Sequence, residues 1–244
     1  MVMIESINNE KIKKYNKLLQ KKYRDETNMY LVSTEHLVLE AQRRNLVVEI
    51  FLLENEENIY GDVIYVKENV MRKLSNLNTI PRVVAVVKKE ESKNIFGNVI
   101  LLDGLQDPGN LGTIIRSAVA FNIDTIILGD NTVDLYNEKV LRASEGMLFN
   151  INIIKRNLID SINELKEKGY EIIGTKVDNG IDIKDIDVDK YAFIIGNEGN
   201  GISEDILNIC DKYVYIPMNS KCESLNASIA SSIIMYEINK KSMK

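Results

Sequence analysis

Val99-Ile100-Leu101-Leu102 is a run of four apolar residues, followed directly by Asp103-Gly104-Leu105-Gln106-Asp107-Pro108-Gly109-Asn110-Leu111-Gly112-Thr113-Ile114-Ile115-Arg116. A short apolar run bounded by turn residues reads as a strand buried on both faces. Pro108-Gly109 reads as a turn and Asn110 as a cap for a helix over 110–121. The same alternation continues downstream. Strands are expected at 125–128, 151–154, 171–174, 192–196 and 213–216, and helices at 137–144, 157–168, 203–208 and 225–239. Apolar strands alternating with helices predict an α/β domain on a mainly parallel sheet.

Upstream, the charge-rich stretch 88–94 interrupts the apolar pattern and marks a boundary between residues 1–94 and 95–244. The first part is expected to hold a helix over 8–24, strands at 30–32, 47–53, 63–66 and 83–87, a helix from 33 or 34 to 44, and a short helix near Met71. Ser33-Thr34 ahead of Glu35 caps the second helix and places His36 in its exposed first turn, with no catalytic role.

Composition narrows the chemistry. With 244 residues, 45% apolar, the chain can bury one large or two modest cores. No apolar run is long enough to span a bilayer and the opening residues are unlike a signal peptide, so a cytoplasmic protein is expected. One histidine and two cysteines, Cys210 and Cys222, make neither a disulfide framework nor a Cys/His zinc site, and no metal is expected. Acid–base work falls to carboxylates, Arg, Ser or Asn. The net charge of −5 conceals an asymmetry of +2 over 1–95 and −7 over the remainder. Lys11, Lys13, Lys14, Lys17, Lys21, Lys22 and Arg24 crowd one segment. That segment reads either as a solvated helix face or as a contact for RNA phosphates.

Ligand sites in parallel sheets gather beyond the carboxyl ends of strands, which directs attention to three loops. In the first, Gly112 lies one helical turn before Arg116 on the same face. The pair reads equally as close helix packing with a surface ion pair and as a planar, permanently charged group for RNA backbone. The second loop, Gly196-Asn197-Glu198-Gly199-Asn200-Gly201, lets backbone approach a ligand, but lacks the Lys-Ser/Thr of a phosphate loop and the glycine fingerprint of a dinucleotide site. Glu198 is its ionised group, and a salt bridge or helix cap explains it as well. The third runs from Ile216-Pro217-Met218 to Glu223-Ser224-Leu225-Asn226-Ala227-Ser228, where Ser224 reads as a helix cap. The helix beyond has Leu225, Ile229, Ile233 and Tyr236 along one stripe, either core or subunit interface.

Together, Asn110-x-Gly112-x-x-x-Arg116 with Ala120-Phe121, then Gly196-Asn197-Glu198-Gly199-x-Gly201, then Ile216-Pro217-Met218 through Glu223-Ser224-Leu225-Asn226-x-Ser228 resemble the three motifs of the SpoU family of RNA ribose 2′-O-methyltransferases, in the SPOUT superfamily. The resemblance covers about 95–240. It departs after Phe121, where Asn122 replaces the usual Gly but also tolerates left-handed backbone. It implies a C-terminal trefoil-knotted parallel-sheet domain, preceded by a small α/β RNA-binding domain of the ribosomal-protein type, in a homodimer joined through the C-terminal helix. It implies S-adenosylmethionine as methyl donor, contacted by Gly196, Ile216 and Leu225 with Thr175, Met218, Asn226 and Ser228 nearby. Asn110, Arg116, Glu198, Ser224 and Asn226 match its catalytic positions. On this carry-over Arg116 contacts the 2′-hydroxyl and neighbouring phosphate, and Glu198 either orients Arg116 or accepts the proton, orientation being favoured. The implied partner is RNA, ribosomal RNA of the large subunit before transfer RNA. A noncatalytic RNA-binding protein of the same fold is the alternative, and a doubly wound oxidoreductase lacks its fingerprint.

Overall fold

The computed structural model describes residues 2–75, 77–91, 94–177, 180–187 and 189–242. In chain order its elements are β1 (Val2–Ile4), α1 (Glu10–Asn16), α2 (Lys21–Thr27), β2 (Met29–Val32), α3 (Glu35–Arg43), β3 (Val47–Leu53), β4 (Ile64–Val66), α4 (Glu68–Leu74), β5 (Val83–Lys88), β6 (Val99–Leu102), α5 (Pro108–Ala120), β7 (Thr125–Leu128), α6 (Glu138–Ala143), β8 (Asn152–Lys155), α7 (Leu158–Glu167), β9 (Glu171–Thr175), β10 (Ile181–Asp182), β11 (Tyr191–Ile195), α8 (Glu204–Leu207), β12 (Lys212–Tyr215) and α9 (Ala227–Ser242). They form two compact units. One comprises Met1–Glu91 and Tyr136–Phe149, the other Ser92–Leu135 and Asn150–Lys244.

The first unit has a five-stranded sheet in the order β1-β4-β3-β5-β2, with β5 antiparallel to both neighbours. The segment 8–24, expected as one helix, is instead α1, a 3-10 turn and α2. Gln20 interrupts it in an extended conformation, and the buried Arg24 guanidinium donates to the carbonyls of Leu18 and Leu19 freed by the break, at 2.8 and 2.9 Å. Ile12, Tyr15 and Leu18 still reach the core, because the break preserves the side of the chain that faces the sheet. Four of the clustered cations are paired: Lys11 with Glu49, Lys13 with Glu10, Lys21 with Asp25 and Lys22 with Glu26. Local neutralisation of this kind agrees with a solvated face, although such exposed pairs contribute little stability. Strand β1 was not expected; three residues at a sheet edge leave no periodicity to read. His36 is exposed in the first turn of α3, where Thr34 accepts from the Leu37 amide, and its Nε2 lies 2.9 Å from the Glu145 carbonyl. Tyr136 brings the segment 136–149 into this unit, its ring centroid 4.5 Å from that of Tyr30.

In the second unit all seven strands are parallel, in the order β10-β12-β9-β11-β6-β7-β8. Strands β6, β7 and β11 are buried at every position, as apolar runs covered on both faces require. Leu101, Ile127, Ile172 and Ile194 form the centre of this core, and burying each aliphatic side chain contributes about 1.5–3 kcal/mol. The order is decisive for function. It sets β12, β9, β11 and β6 side by side, so the loops after Tyr215, Thr175, Ile195 and Leu102 open along one edge. No helix among the described residues is long and apolar enough to cross a membrane.

Candidate functional site

Helix α5 begins two residues earlier than expected. Pro108, with φ already suited to a first helical turn, follows Asp107, whose side chain accepts from the Asn110 amide at 2.8 Å. Asp107 is therefore the cap, and Asn110 is released to turn its side chain elsewhere. Its Nδ2 donates to Glu198 Oε1 at 3.0 Å, and its Oδ1 accepts from Asn226 Nδ2 at 2.9 Å. Asn226 Oδ1 in turn accepts from the amide of Ser228 at 2.9 Å, its hydroxyl at 2.7 Å and the amide of Ile229 at 3.3 Å. Asn226, not Ser224, thus caps α9. One continuous chain of hydrogen bonds, Glu198–Asn110–Asn226–Ser228, ties together three loops drawn from distant parts of the sequence.

Glu198 also accepts from the backbone amides of Gln106 and Asp107, both at 3.0 Å. Its carboxylate sits at the positive end of α5, where anionic groups are favoured. Partial desolvation pushes the Glu198 carboxyl up, but the amides of Gln106 and Asp107 and the Asn110 side chain outweigh it, and the group is held below the usual range. The expected orientation of Arg116 by Glu198 is not formed. The carboxylate is saturated by closer, preorganised donors, and Arg116 projects from the exposed side of α5 with no hydrogen bond or ion pair among the described residues.

The second loop closes on itself. Asn197 and Gly201 exchange two backbone hydrogen bonds, at 2.8 and 3.0 Å, and Asn197 Oδ1 accepts from the amides of Gly199 and Asn200. The Asn197 amide group donates to the Gly104 carbonyl at 2.7 Å, and Asp103 Oδ2 accepts from the Ser203 amide at the same distance, fastening the second loop to the first. Asn197, Asp103 and Asp107 were not singled out from the sequence. An Asn followed by Gly at its second and fourth positions, and an Asp directly before Pro, were the available signals.

Beside this network lies a cavity of about 450 Å³, within the range of small-molecule sites. Thr175, Gly196, Ile216, Met218, Ser224 and Leu225 all line it, as does Glu198. Asn110, Arg116, Asn226 and Ser228 do not; Ser228 is buried at the start of α9. Ile216, Met218 and Leu225 supply apolar walls, while the backbone of 196–201 supplies peptide groups. Apolar walls facing peptide groups suit an adenine with a thioether-linked amino-acid tail, the make-up of S-adenosylmethionine. Among the described residues no cluster of His, Cys, Asp and Glu could hold a metal ion.

The description SpoU rRNA Methylase family belongs to a family model that matches residues 97–236. The chain is a member of that family. An MRM3-like substrate binding domain matches residues 9–85. Over 98% of this chain and 99% of the relative, the sequence is 37% identical to the 23S rRNA (guanosine(2553)-2′-O)-methyltransferase RlmP of Bacillus subtilis (strain 168). Among solved structures, the SpoU methyltransferase AviRb of Streptomyces viridochromogenes, in complex with AdoMet, superposes with a TM-score of 0.86 at 25% identity, over 97% of this chain and 99% of that one. An AdoMet-bound rRNA methyltransferase from Sinorhizobium meliloti gives a TM-score of 0.87 at 26% identity, over 99% of this chain and 98% of that one. Membership makes this chain an S-adenosylmethionine-dependent RNA 2′-O-methyltransferase.

Proposed function

We propose that this SpoU protein methylates a ribose 2′-hydroxyl of 23S ribosomal RNA. The observation that carries the reading is the hydrogen-bond chain Glu198–Asn110–Asn226–Ser228, which locks three motif loops around one cavity. The substrate follows from the full-length likeness to the Bacillus subtilis enzyme, which acts on 23S rRNA. S-adenosylmethionine, when bound, supplies an electrophilic methyl group on its sulfonium. Gly196, Ile216, Met218, Leu225 and Thr175 hold it, with Ser228 supporting from behind. Arg116 positions the 2′-hydroxyl and the adjacent phosphate; a guanidinium stays protonated and so serves by orientation and charge rather than as a base. Glu198 keeps α5 and Asn110 in place, because a carboxylate with three donors and a lowered pKa is a poor proton acceptor. Ser224 completes the cavity wall ahead of α9, and Asn226 holds Asn110 in place from the start of that helix.

Residues 1–94 are the RNA-binding part, of ribosomal-protein type, and 95–244 the catalytic part, except that the segment Tyr136–Phe149 folds with the first unit. Two copies pair through α9, where Ile229 and Tyr236 are 52% and 48% exposed and so are not core of this chain. Ser117 and Ser232, 2.8 Å apart, bind α5 to α9, which sets Arg116 beside that face. Replacing Ile229 with Glu should convert the dimer to monomers by sedimentation equilibrium; a wild-type protein already at the mass of one chain would contradict the pairing. The trefoil knot is supported by β12, a late strand inserted between β9 and β10. It implies threading-limited refolding over minutes, which millisecond refolding would rule out. A cytoplasmic location suits a ribosomal RNA substrate, and fractionation of cells would test it.

Incubation of unmodified 23S and transfer RNA with the protein and S-adenosylmethionine, followed by nucleoside mass spectrometry, tests the reaction. One new 2′-O-methylnucleoside in 23S RNA is expected. Methylation of transfer RNA alone would overturn the substrate, and methylation of neither pool by protein that binds the cofactor would overturn the reading as an enzyme.

A further inference from the structure

Two ionised side chains line the cavity among the described residues, Lys176 and Glu198. Glu198 is occupied by Gln106, Asp107 and Asn110. The ammonium of Lys176, the residue immediately after β9, has no hydrogen bond or carboxylate partner among the described residues. Its Nζ instead rests over the face of Tyr213, 3.7 Å from the ring centroid. Tyr213 is itself fixed, since its hydroxyl donates to the Leu207 carbonyl at 2.6 Å, and Leu207 also lines the cavity. A lysine with an idle ammonium, held by a rigid aromatic platform at a cavity rim, is a preset site for an anion.

We infer that Lys176 is the counter-ion of the amino-acid carboxylate of the bound cofactor. The inference rests on the cofactor reading. S-adenosylmethionine carries a sulfonium, an α-ammonium and one carboxylate but no phosphate, so the carboxylate is the one group of the ligand that the Lys176 ammonium can pair with. Apolar walls at Ile216, Met218 and Leu225 have nothing to offer a carboxylate, and the Glu198 end of the cavity repels it. The carboxylate therefore lies at the Lys176 rim, and this end of the cavity distinguishes the amino-acid-bearing cofactor from the shorter thioether nucleoside. The exposed ammonium is screened by solvent, so its contribution is modest and depends on salt.

Isothermal titration of wild type, Lys176→Met and Lys176→Arg with S-adenosylhomocysteine and with 5′-methylthioadenosine, which shares the nucleoside and sulfur but lacks the amino acid, tests the assignment. Lys176→Met should bind S-adenosylhomocysteine about tenfold more weakly, a charge-assisted contact being lost, and 5′-methylthioadenosine unchanged. Lys176→Arg should recover most of the loss, and the wild-type advantage should shrink as salt rises. Equal weakening for both ligands would mean that Lys176 supports the nucleoside end or merely props Tyr213, and overturns the assignment. No weakening for either does the same, and a simultaneous fall in RNA affinity would give Lys176 to a phosphate. Wild-type protein that binds neither ligand would remove the cofactor reading itself, a result distinct from wild-type binding that the Met variant leaves intact.

Discussion

Replacing Arg116 with Ala should lower the single-turnover rate of methyl transfer about 10²- to 10³-fold while leaving the Kd for S-adenosylmethionine within about twofold. Arg116 does not line the cavity and makes no ion pair among the described residues, so its loss has no route to cofactor affinity. On the proposed function, its value lies in a fixed positive charge with planar donors presented to RNA, which only the reacting complex uses. Arg116→Lys should recover little, because an ammonium cannot reproduce the fork. Rate measurements at saturating RNA alongside calorimetric titration separate the effects. An Arg116→Ala protein with cofactor affinity reduced as far as its rate would remove Arg116 from the reacting centre.

The second large effect is expected at Gly196. A Cβ added there would lie 2.1 Å from the Gly201 carbonyl carbon, 2.3 Å from the Ile202 nitrogen and 2.5 Å from the Gly201 oxygen. All three are backbone atoms, and the paired hydrogen bonds between Asn197 and Gly201 hold them in place. No rotamer change relieves such a clash; the loop must open. Gly196→Ala should therefore weaken S-adenosylhomocysteine binding by more than about 100-fold and destabilise the protein by about 1–3 kcal/mol, the usual penalty of overpacking. Calorimetric titration and thermal unfolding would show it. Affinity within threefold of wild type would mean that the loop does not form the cavity wall. The sequence suggests that the glycine makes room for a ligand, whereas here the close approach is to the loop's own backbone.

Apolar runs such as Val99–Leu102 and Tyr191–Ile195 named their own strands, because a strand covered on both faces needs no polar positions. The cluster of Asn, Gly, Arg, Glu and Ser in three loops named the family. Boundaries were less legible. Pro108 moved the start of α5 forward and transferred capping from Asn110 to Asp107, a choice between two good caps that only the turn geometry makes. Gln20 split a stretch whose apolar spacing is helical throughout, since Arg24 can satisfy the carbonyls that the break exposes.

The partners of the site residues lay beyond local reading. Glu198 and Arg116 are a natural pair by charge, yet Glu198 lies against the amides that begin α5, and nothing in the spacing of 106, 110 and 198 foretells it. Leu225, Ile229, Ile233 and Tyr236 mark an apolar stripe in the sequence, but the burial of Ile234, Met235 and Ile238 instead shows which side α9 turns inward. By itself the sequence determined the repeating units, the sheet's parallel character and the residue types able to serve a methyl transfer, all of which follow from local periodicity and side-chain chemistry. The tertiary structure alone decided that β12, β9, β11 and β6 stand side by side out of chain order. It also decided which donors saturate Glu198 and which cation is left over at the cavity rim, because these are contacts between segments distant in the chain, set by packing rather than by any pattern along it.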